Sequence, residues 1–412
     1  MAAGTLALTG ATGPLAEARG SDTMRVGVIG CGGRGSGAAN NCVESSQGVK
    51  IVALADAFED QLGRLKNQYN VPGNRCFTGL DGYKKLLALD DINMVIIASP
   101  PGFKPPQFAE AVNRGKNVFI EKPVATCPAG IKMMLEASEK AARKGLGVVA
   151  GTQRRHEPKY VETMKRIHDG AIGEIVSAQC YWNMGALWVD RARQNWENYK
   201  SGKYSDVEWQ IRNWLFTGWL SGDHIVEQHV HNIDVVNWAF GTIPERVRGV
   251  GGRQYRTEPQ YGNIFDHFGI EFFYPDDVRT ISTCRQIDKT SSNVSERVAG
   301  TKGWSNCAGK IVGENSWNYE GPNPDPYVQE HTDLIKSIRS GNPLNEGKQV
   351  AESTLCAIMG RESAYSRQQF KTSWFMSQCT LDYLPPEDMK LSDSRPLEPF
   401  AIPGKYKLPV SA

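Results

Sequence analysis

The apolar positions of this chain fall first into short unbroken runs. Val26, Val28 and Ile29 form one, Ile51–Ala55 a second, Met94–Ala98 a third, and Asn117–Ile120 and Gly147–Ala150 two more. Runs of that length read as strands buried on both faces. Between them lie stretches of helical character: Phe58–Tyr69, Gly79–Leu89, Phe108–Arg114, and a helix opened by Pro128 with Ile131, Met134, Leu135 and Ala142 on one side. Strands alternating with helices predict a parallel, doubly wound sheet. The rhythm changes after about Gly151. Ile175–Trp182 predicts a strand, then comes a polar, aromatic-rich stretch to about Gly222, then a helix over Ile225–Phe240 stopped by Gly241. Arg246–Val250, His267–Phe273 and Arg279–Cys284 follow as strands without helices between them, which predicts a mostly antiparallel sheet. Tyr327–Arg339 and Gln349–Gln368 predict helices returning over the structure, and from about Asp382 the chain is proline-rich, either disordered or laid on a neighbouring subunit. The expected division is an extension over 1–23, a first domain over 24–150, a second over 151–375 and an arm over 376–412. The expected fold is α/β, with an N-terminal doubly wound parallel sheet and a C-terminal α+β domain carrying a mostly antiparallel open sheet.

The first strand runs into Gly30-Cys31-Gly32-Gly33-Arg34-Gly35, and the second ends at Asp56. Each glycine has a mechanical task. Gly30 allows a tight turn, Gly32 lets backbone approach a pyrophosphate, and Gly35 lets a helix pack closely on the sheet. Phosphates then meet free N–H groups at the helix start, with Gly33 and Arg34 beside them. Asp56, at roughly the ~20-residue separation such sites show, is placed to accept hydrogen bonds from a ribose. Ala57 and Phe58 follow it, with no adjacent arginine to receive a 2′-phosphate. The carboxylate itself repels that phosphate, so NAD is expected over NADP. Ser99 and Pro100 break the third strand at its carboxyl end, where open parallel sheets bind ligands.

Composition narrows the partners. The 412 residues suffice for two domains, and 47 basic against 45 acidic side chains leave a formal net charge of +2, which points to neither nucleic acid nor an anionic membrane. No apolar run reaches the ~20 residues a bilayer span needs. The nine cysteines contain no C-x-x-C pair, which argues against a zinc ribbon or a thioredoxin-like site and leaves room for one or two disulfides at most. Gly4–Ala16 is small, mildly apolar and uncharged, and Ala16-Glu17-Ala18 offers an A-x-A cleavage pattern. It reads either as the tail of an export signal, implying a periplasmic or exported protein, or as an Ala/Gly-rich extension of a cytoplasmic one.

With Glu121-Lys122-Pro123 at the tip of the 117–120 strand, the motifs fall into a recognisable order. GCGGRG, Ala55-Asp56, Ser99-Pro100, Glu121-Lys122-Pro123 and the stretch EQHVHNID at 227–234 together resemble the glucose–fructose oxidoreductase / inositol dehydrogenase (Gfo/Idh/MocA) family of NAD(P)-dependent oxidoreductases. The similarity runs from about Met24 to Gln368. It implies a Rossmann NAD-binding domain and a substrate domain, a small carbohydrate or polyol substrate, and a homo-oligomer, dimer or tetramer, joined through the open face of the second sheet. It also implies that Lys122 lies beside the nicotinamide and reaches the hydroxyl being oxidised, with Glu121 next to it in the cofactor site. Glu227 and, four residues on, His231 match the acid and the histidine that handle the substrate proton. Three positions depart from the pattern: Glu227 where the family usually has Asp, His229 where it has Gly, and Lys104 where a histidine is frequent.

The chemistry of hydride transfer fits these residue types. A carbinol must lose a proton to a base while positive charge stabilises the developing alkoxide. The imidazole of His231 suits the first task, Glu227 one turn earlier would orient it, and Lys122 supplies the charge. Asp234 extends the same polar line. Three of the seven histidines (His224, His229, His231) fall within this stretch. A metal site built from them is disfavoured because residues two apart on a helix project to opposite sides. Arg154 and Arg155 match a stretch near the family's substrate, and Lys104, Tyr327, Glu330 and His331 are further candidates around the cleft. Trp182, Trp188, Trp196, Trp209, Trp214 and Trp219, interleaved with Arg191, Arg193 and Arg212, would either stack on a sugar or pack the insert's own core. The expected activity is NAD-dependent oxidation of a hydroxyl on a sugar, polyol or glycoside. Two rivals stand beside it: a glycosidase that recycles tightly held NAD through oxidation, elimination, hydration and reduction, with His229 or His224 as second base, and a non-catalytic sugar sensor.

Overall fold

The computed structural model describes residues 23–411; the stretch that reads as an export remnant lies outside the described residues. The first domain is a six-stranded, wholly parallel sheet of β1 (Met24–Ile29), β2 (Val49–Asp56), β3 (Cys76–Thr78), β4 (Met94–Ile97), β5 (Asn117–Ile120) and β6 (Val148–Ala150). Its order is β3-β2-β1-β4-β5-β6. The order reverses between β1 and β4, and the crevice outside their carboxyl ends is where such sheets take ligands. Helices cover both faces, so β4 is buried at every residue and its run Met-Val-Ile-Ile shows no alternation. The three-residue strand β3 has no sequence signal of its own and pairs only at the end of β2.

The second sheet has nine strands in the order β14-β13-β12-β11-β7-β10-β9-β8-β15. These are β7 (Ile175–Met184), β8 (Arg246–Gly252), β9 (His267–Phe273), β10 (Arg279–Gln286), β11 (Asn293–Gly300), β12 (Gly303–Ser305), β13 (Lys310–Gly313), β14 (Trp317–Asn318) and β15 (Phe370–Lys371). The β7–β10 pair is parallel and the other seven pairs are antiparallel. The helix Val230–Phe240 packs Ile233 and Val236 into one core with Ala178 and Cys180 of β7.

One helix ties the two cores together. Gly347–Ser366 is buried along almost its whole length. Its first turns put Val350 and Ala351 into the core of the parallel sheet, and Leu355, Ile358 and Met359 into the core of the second. Buried on nearly every side, with Arg361 and Glu362 paired to each other in the interior, it serves as a shared axle.

The C-terminal arm lies on its own chain. Cys379 pairs with Val410 in an isolated antiparallel bridge, and the Tyr406 hydroxyl donates to Glu362 at 2.8 Å. Gln210 donates to the Arg395 carbonyl at 2.5 Å, and Lys84 of the first domain pairs with Glu387 at 2.9 Å. Disorder does not describe the proline-rich tail, which is ordered against its own chain. Proline removes the ladder pattern that would mark a strand, yet the tail finds side-chain partners on both domains. All nine cysteines carry free thiols, and no helix among the described residues is long and apolar enough to cross a membrane.

Beside the sheet end, His156 is a buried ionic clamp. Its Nδ1 lies 2.7 Å from Asp333 and its Nε2 3.2 Å from Glu346. The two carboxylates outweigh the cost of burial and push its pKa up to about 10. Because the folded value exceeds the unfolded one, this stabilisation is complete below about pH 6.5 and is lost as pH rises toward 10. Replacement by Gln should therefore cost on the order of a few kcal/mol at pH 6, with the deficit shrinking steadily toward pH 10. Urea unfolding of both proteins across that range measures it; a pH-independent deficit would contradict the clamp.

Candidate active site

The turn after β1 has the shape its glycines require. Gly30 sits at φ +86°, and a Cβ there would meet the Ser99 backbone nitrogen at 2.5 Å. A Cβ on Gly35 would lie 1.8 Å from the Gly30 carbonyl oxygen, so any other residue would push the helix Gly33–Ser45 off the sheet. Asp56 accepts from the N–H of Cys31 at 2.7 Å and of Phe58 at 3.0 Å; burial nonetheless raises its pKa. Gly30, Gly32, Gly33, Arg34, Gly35, Asp56, Ser99 and Pro100 line one cavity of about 390 Å³. Its free helix N-terminus, glycine floor and acid at the tip of β2 fit a dinucleotide.

Lys122 leaves the tip of β5 and crosses to the second domain. Its ammonium donates to the Glu227 carbonyl at 2.7 Å and lies 3.6 Å from the Glu227 carboxylate. The acceptor carbonyl is available because the expected helix over 225–240 is in fact two. His224–Glu227 stops, Gln228 departs at φ −110°, and a second helix begins at Val230. Glu227 is thus partnered with Lys122, and its hydrogen bonds do not include His231.

His231 is buried, and Trp182 stacks on it with ring centroids 5.8 Å apart and planes within 20°. Its Nδ1 has no hydrogen-bond partner. Burial first, then the charges of Lys122, Arg154 and Arg34, hold its pKa well below the ordinary value. The ring is therefore neutral in the free protein at working pH, ready to accept a proton.

The remaining candidates sort by partner. Arg34 bonds Glu121 at 2.5 Å and lies over the Tyr327 ring at 5.0 Å. Arg154 bonds Glu296, which also accepts from Asn232 at 2.6 Å. Arg155 grips Asp234 with two bonds of 2.8 and 3.0 Å, so this pair is a buried brace behind the site. Three expectations are corrected. Lys104 is placed as a buried brace, not a substrate contact: it is 2% exposed and donates to the carbonyls of Glu121 at 2.7 Å, Lys122 at 3.2 Å and Pro123 at 3.0 Å. Burial pushes its pKa down to about 7, while Glu121 works to keep the proton on. His229 faces away from the cleft, fully buried, with its Nε2 2.7 Å from the Ser282 hydroxyl. His224 is also fully buried beside Asp223. Neither is placed to act as a second base. Glu330 and His331 are buried too, the former 3.9 Å from Arg34 and the latter against the Phe119 ring, tilted by 33° with centroids 4.0 Å apart.

The tryptophans divide. Trp196 and Trp209 cluster with Tyr199, whose ring stacks on Trp209 at 4.6 Å. Trp219 packs against Phe103. Trp188 and Trp214, by contrast, line the dinucleotide groove with Arg191 and Arg212. No periodicity signals the placement of Trp214 or Trp219 or the contribution of Glu296, because their contacts join residues far apart in sequence. No metal-ligand cluster occurs among the described residues.

Losing Lys104 tests how the Lys122 loop is held. Lys104→Met strands three carbonyls and should destabilise the fold by on the order of 3 kcal/mol. A urea midpoint shift equivalent to less than about 1 kcal/mol would show that the clamp is dispensable.

Comparison with known proteins agrees with this geometry. Residues 24–149 match the oxidoreductase family with an NAD-binding Rossmann fold, and residues 160–305 match the GFO/IDH/MocA C-terminal domain. An inositol 2-dehydrogenase from Rubrobacter xylanophilus is 28% identical over 253 residues, 61% of this chain and 62% of that protein. A glycosyl hydrolase family 109 protein from Shewanella baltica is 26% identical over 186 residues, 43% of this chain and 40% of that one. The chain thus spans less than two thirds of the length of these curated relatives. The crystal structure of scyllo-inositol dehydrogenase from Lactobacillus casei with bound NAD(H) and scyllo-inositol superimposes with a TM-score of 0.64 at 20% identity, covering 85% of this chain and 99% of that one. The two matched segments follow one another in the order the fold requires, and this chain belongs to the Gfo/Idh/MocA oxidoreductase family.

Proposed function

We propose that this protein oxidises a hydroxyl of a sugar, polyol or glycoside by hydride transfer to NAD. The observation that carries the reading is the bond of Lys122, at the tip of the parallel sheet, to Glu227 of the second domain, with its charge acting on His231 and its neighbour Glu121 bonded to Arg34 of the dinucleotide groove. NAD, when bound, supplies the hydride acceptor. The residues present fit it: Gly32 and Gly33 of the turn present no side chain to obstruct a pyrophosphate, and Asp56 has lone pairs left for a ribose. His231 takes the hydroxyl proton on Nε2, since its Nδ1 is sealed in the interior. Lys122 stabilises the oxygen as charge develops on it, and Glu227 holds the ammonium in place. Trp182 offers an aromatic face beside the imidazole.

The names of the relatives support a polyol or sugar as the substrate class. The glycosidase relative keeps a redox-neutral route in view, and one experiment separates the routes. Purified protein is given inositols, aldoses and aryl glycosides, with and without added NAD. Growth of the NADH absorbance band is the expected result; aglycone release without net NADH would replace oxidation by recycling. Lys122→Ala and His231→Ala should each lower kcat/KM at least ~100-fold, the range of a lost general base or charge partner. Rates within a few-fold of wild type in both variants would remove the site assignment.

A further inference from the structure

The dinucleotide groove has a second wall. Trp188, Arg191, Arg212 and Trp214, all from the second domain, line the same cavity as the Gly30–Gly35 turn and Asp56. Two of the cations there behave differently. Arg212 is saturated: it bonds Glu208 at 2.9 Å, reaches the two oxygens of Asp60 at 3.1 and 3.3 Å, and lies over the Phe58 ring at 3.8 Å. Phe58 and Asp60 immediately follow Asp56, so Arg212 pins the second domain to the rim of the nucleotide pocket.

Arg191 has no carboxylate within ion-pair distance among the described residues. Its guanidinium sits over Trp188 at 5.1 Å, and Trp188 in turn meets Trp214 edge-on at 5.5 Å. Partial burial and the neighbouring Arg212 both work against its charge. The other charges around the groove are matched: Arg34 by Glu121, Arg212 by Asp60 and Glu208, Asp56 by two backbone N–H groups. A guanidinium held against an aromatic ring, with Asp60 acting on it only from beyond ion-pair distance and itself bonded to Arg212, leaves a charge for a ligand to neutralise.

The geometry points to Arg191 as a phosphate ligand of the bound dinucleotide, reaching it from the second domain, with the Arg212–Asp60 bridge holding that wall shut over the nucleotide. This rests on the reading of the groove as an NAD site. The pyrophosphate is the fitting partner, because Asp56 in the same cavity repels a 2′-phosphate. The nucleotide is then held from both sides, by backbone N–H groups of the glycine turn on one and by a planar cation on the other. Its release requires the interdomain bridge to open.

Titrations of wild type, Arg191→Gln and Arg191→Lys with NAD, ADP-ribose, NADP and adenosine, followed by tryptophan fluorescence, test the ligand. Arg191→Gln should weaken NAD and ADP-ribose about tenfold, leave adenosine within about twofold, and be partly rescued by Arg191→Lys. NAD and ADP-ribose affinities within about twofold of wild type would overturn the assignment. So would a loss confined to NADP, which would place the guanidinium at a 2′-phosphate. Asp60→Asn, in a stopped-flow chase, should speed NAD release about fivefold or more at nearly unchanged association rate. An unchanged release rate would remove the latch. Wild type that binds ADP-ribose but not NAD would instead count against the NAD-dependent reading, leaving Arg191 to be judged on ADP-ribose.

Discussion

The site depends on one hydrogen bond across the boundary between the domains, from the Lys122 ammonium to the Glu227 carbonyl. That acceptor exists only because a helix is interrupted. In a continuous helix, the carbonyl of residue 227 would be spent on the N–H four residues later, that of His231. The break at Gln228 frees it, and the freed carbonyl and the Glu227 side chain together receive the lysine. The same break separates Glu227 from the turn that carries His231, so the acid serves the cation and the imidazole keeps its own environment. On the other side, Lys104 fixes the backbone of residues 121–123 through three carbonyls. Lys122 is therefore placed by structure at both ends of its reach.

Charge in this region is arranged in pairs, and the pairing bears on why His231 is left neutral. Arg34 answers Glu121, Arg154 answers Glu296 and Arg155 answers Asp234, each pair at least partly buried. Burying a guanidinium is costly unless a carboxylate meets it with good geometry. His231 has no carboxylate partner among these, and three cations act on it. An imidazole so placed resists protonation in the free protein, which keeps a lone pair available for a substrate hydroxyl. In the proposed reaction, the negative charge left on the substrate oxygen as His231 takes its proton is the charge Lys122 would stabilise, so cation and imidazole oppose each other's charge at rest and would serve one oxygen in turnover.

Much of this was legible in the chain, and the parts that were not share a cause. The strands of the parallel sheet announce themselves because burial on both faces leaves unbroken apolar runs such as Met94–Ile97. Gly30, Gly35 and Asp56 are readable because their spacing follows from local backbone geometry. The break at Gln228 is not: every residue from Ile225 to Phe240 is compatible with one helix, and the interruption is decided by the tertiary packing around His224 and His229. Lys104 misleads for a related reason. A lysine in sequence reads as a surface charge, and only three carbonyls converging from residues 121–123 make its burial tolerable. The tryptophans of the insert look alike in the chain, yet Trp209 and Trp219 are buried, Trp196 packs half-buried against Trp209, and two line the nucleotide groove.

The insert and the arm make sense together. A helix as short as Asp206–Arg212 holds its position poorly by its own hydrogen bonds, since nucleation alone is unfavourable at that length. The arm supplies what the helix lacks. Ser205, its N-cap, donates to the Leu391 carbonyl, Gln210 donates to that of Arg395, and Arg395 lies over Trp219 at 4.6 Å. Farther along, Glu387 reaches Lys84 on the parallel-sheet domain. The last thirty-odd residues therefore hold a short helix whose final side chain, Arg212, bridges to Asp60 at the nucleotide rim. The order of dependence runs from arm to insert to groove, so the segment of the chain with the least pattern in its sequence is the one that fixes the outer wall of the nucleotide site.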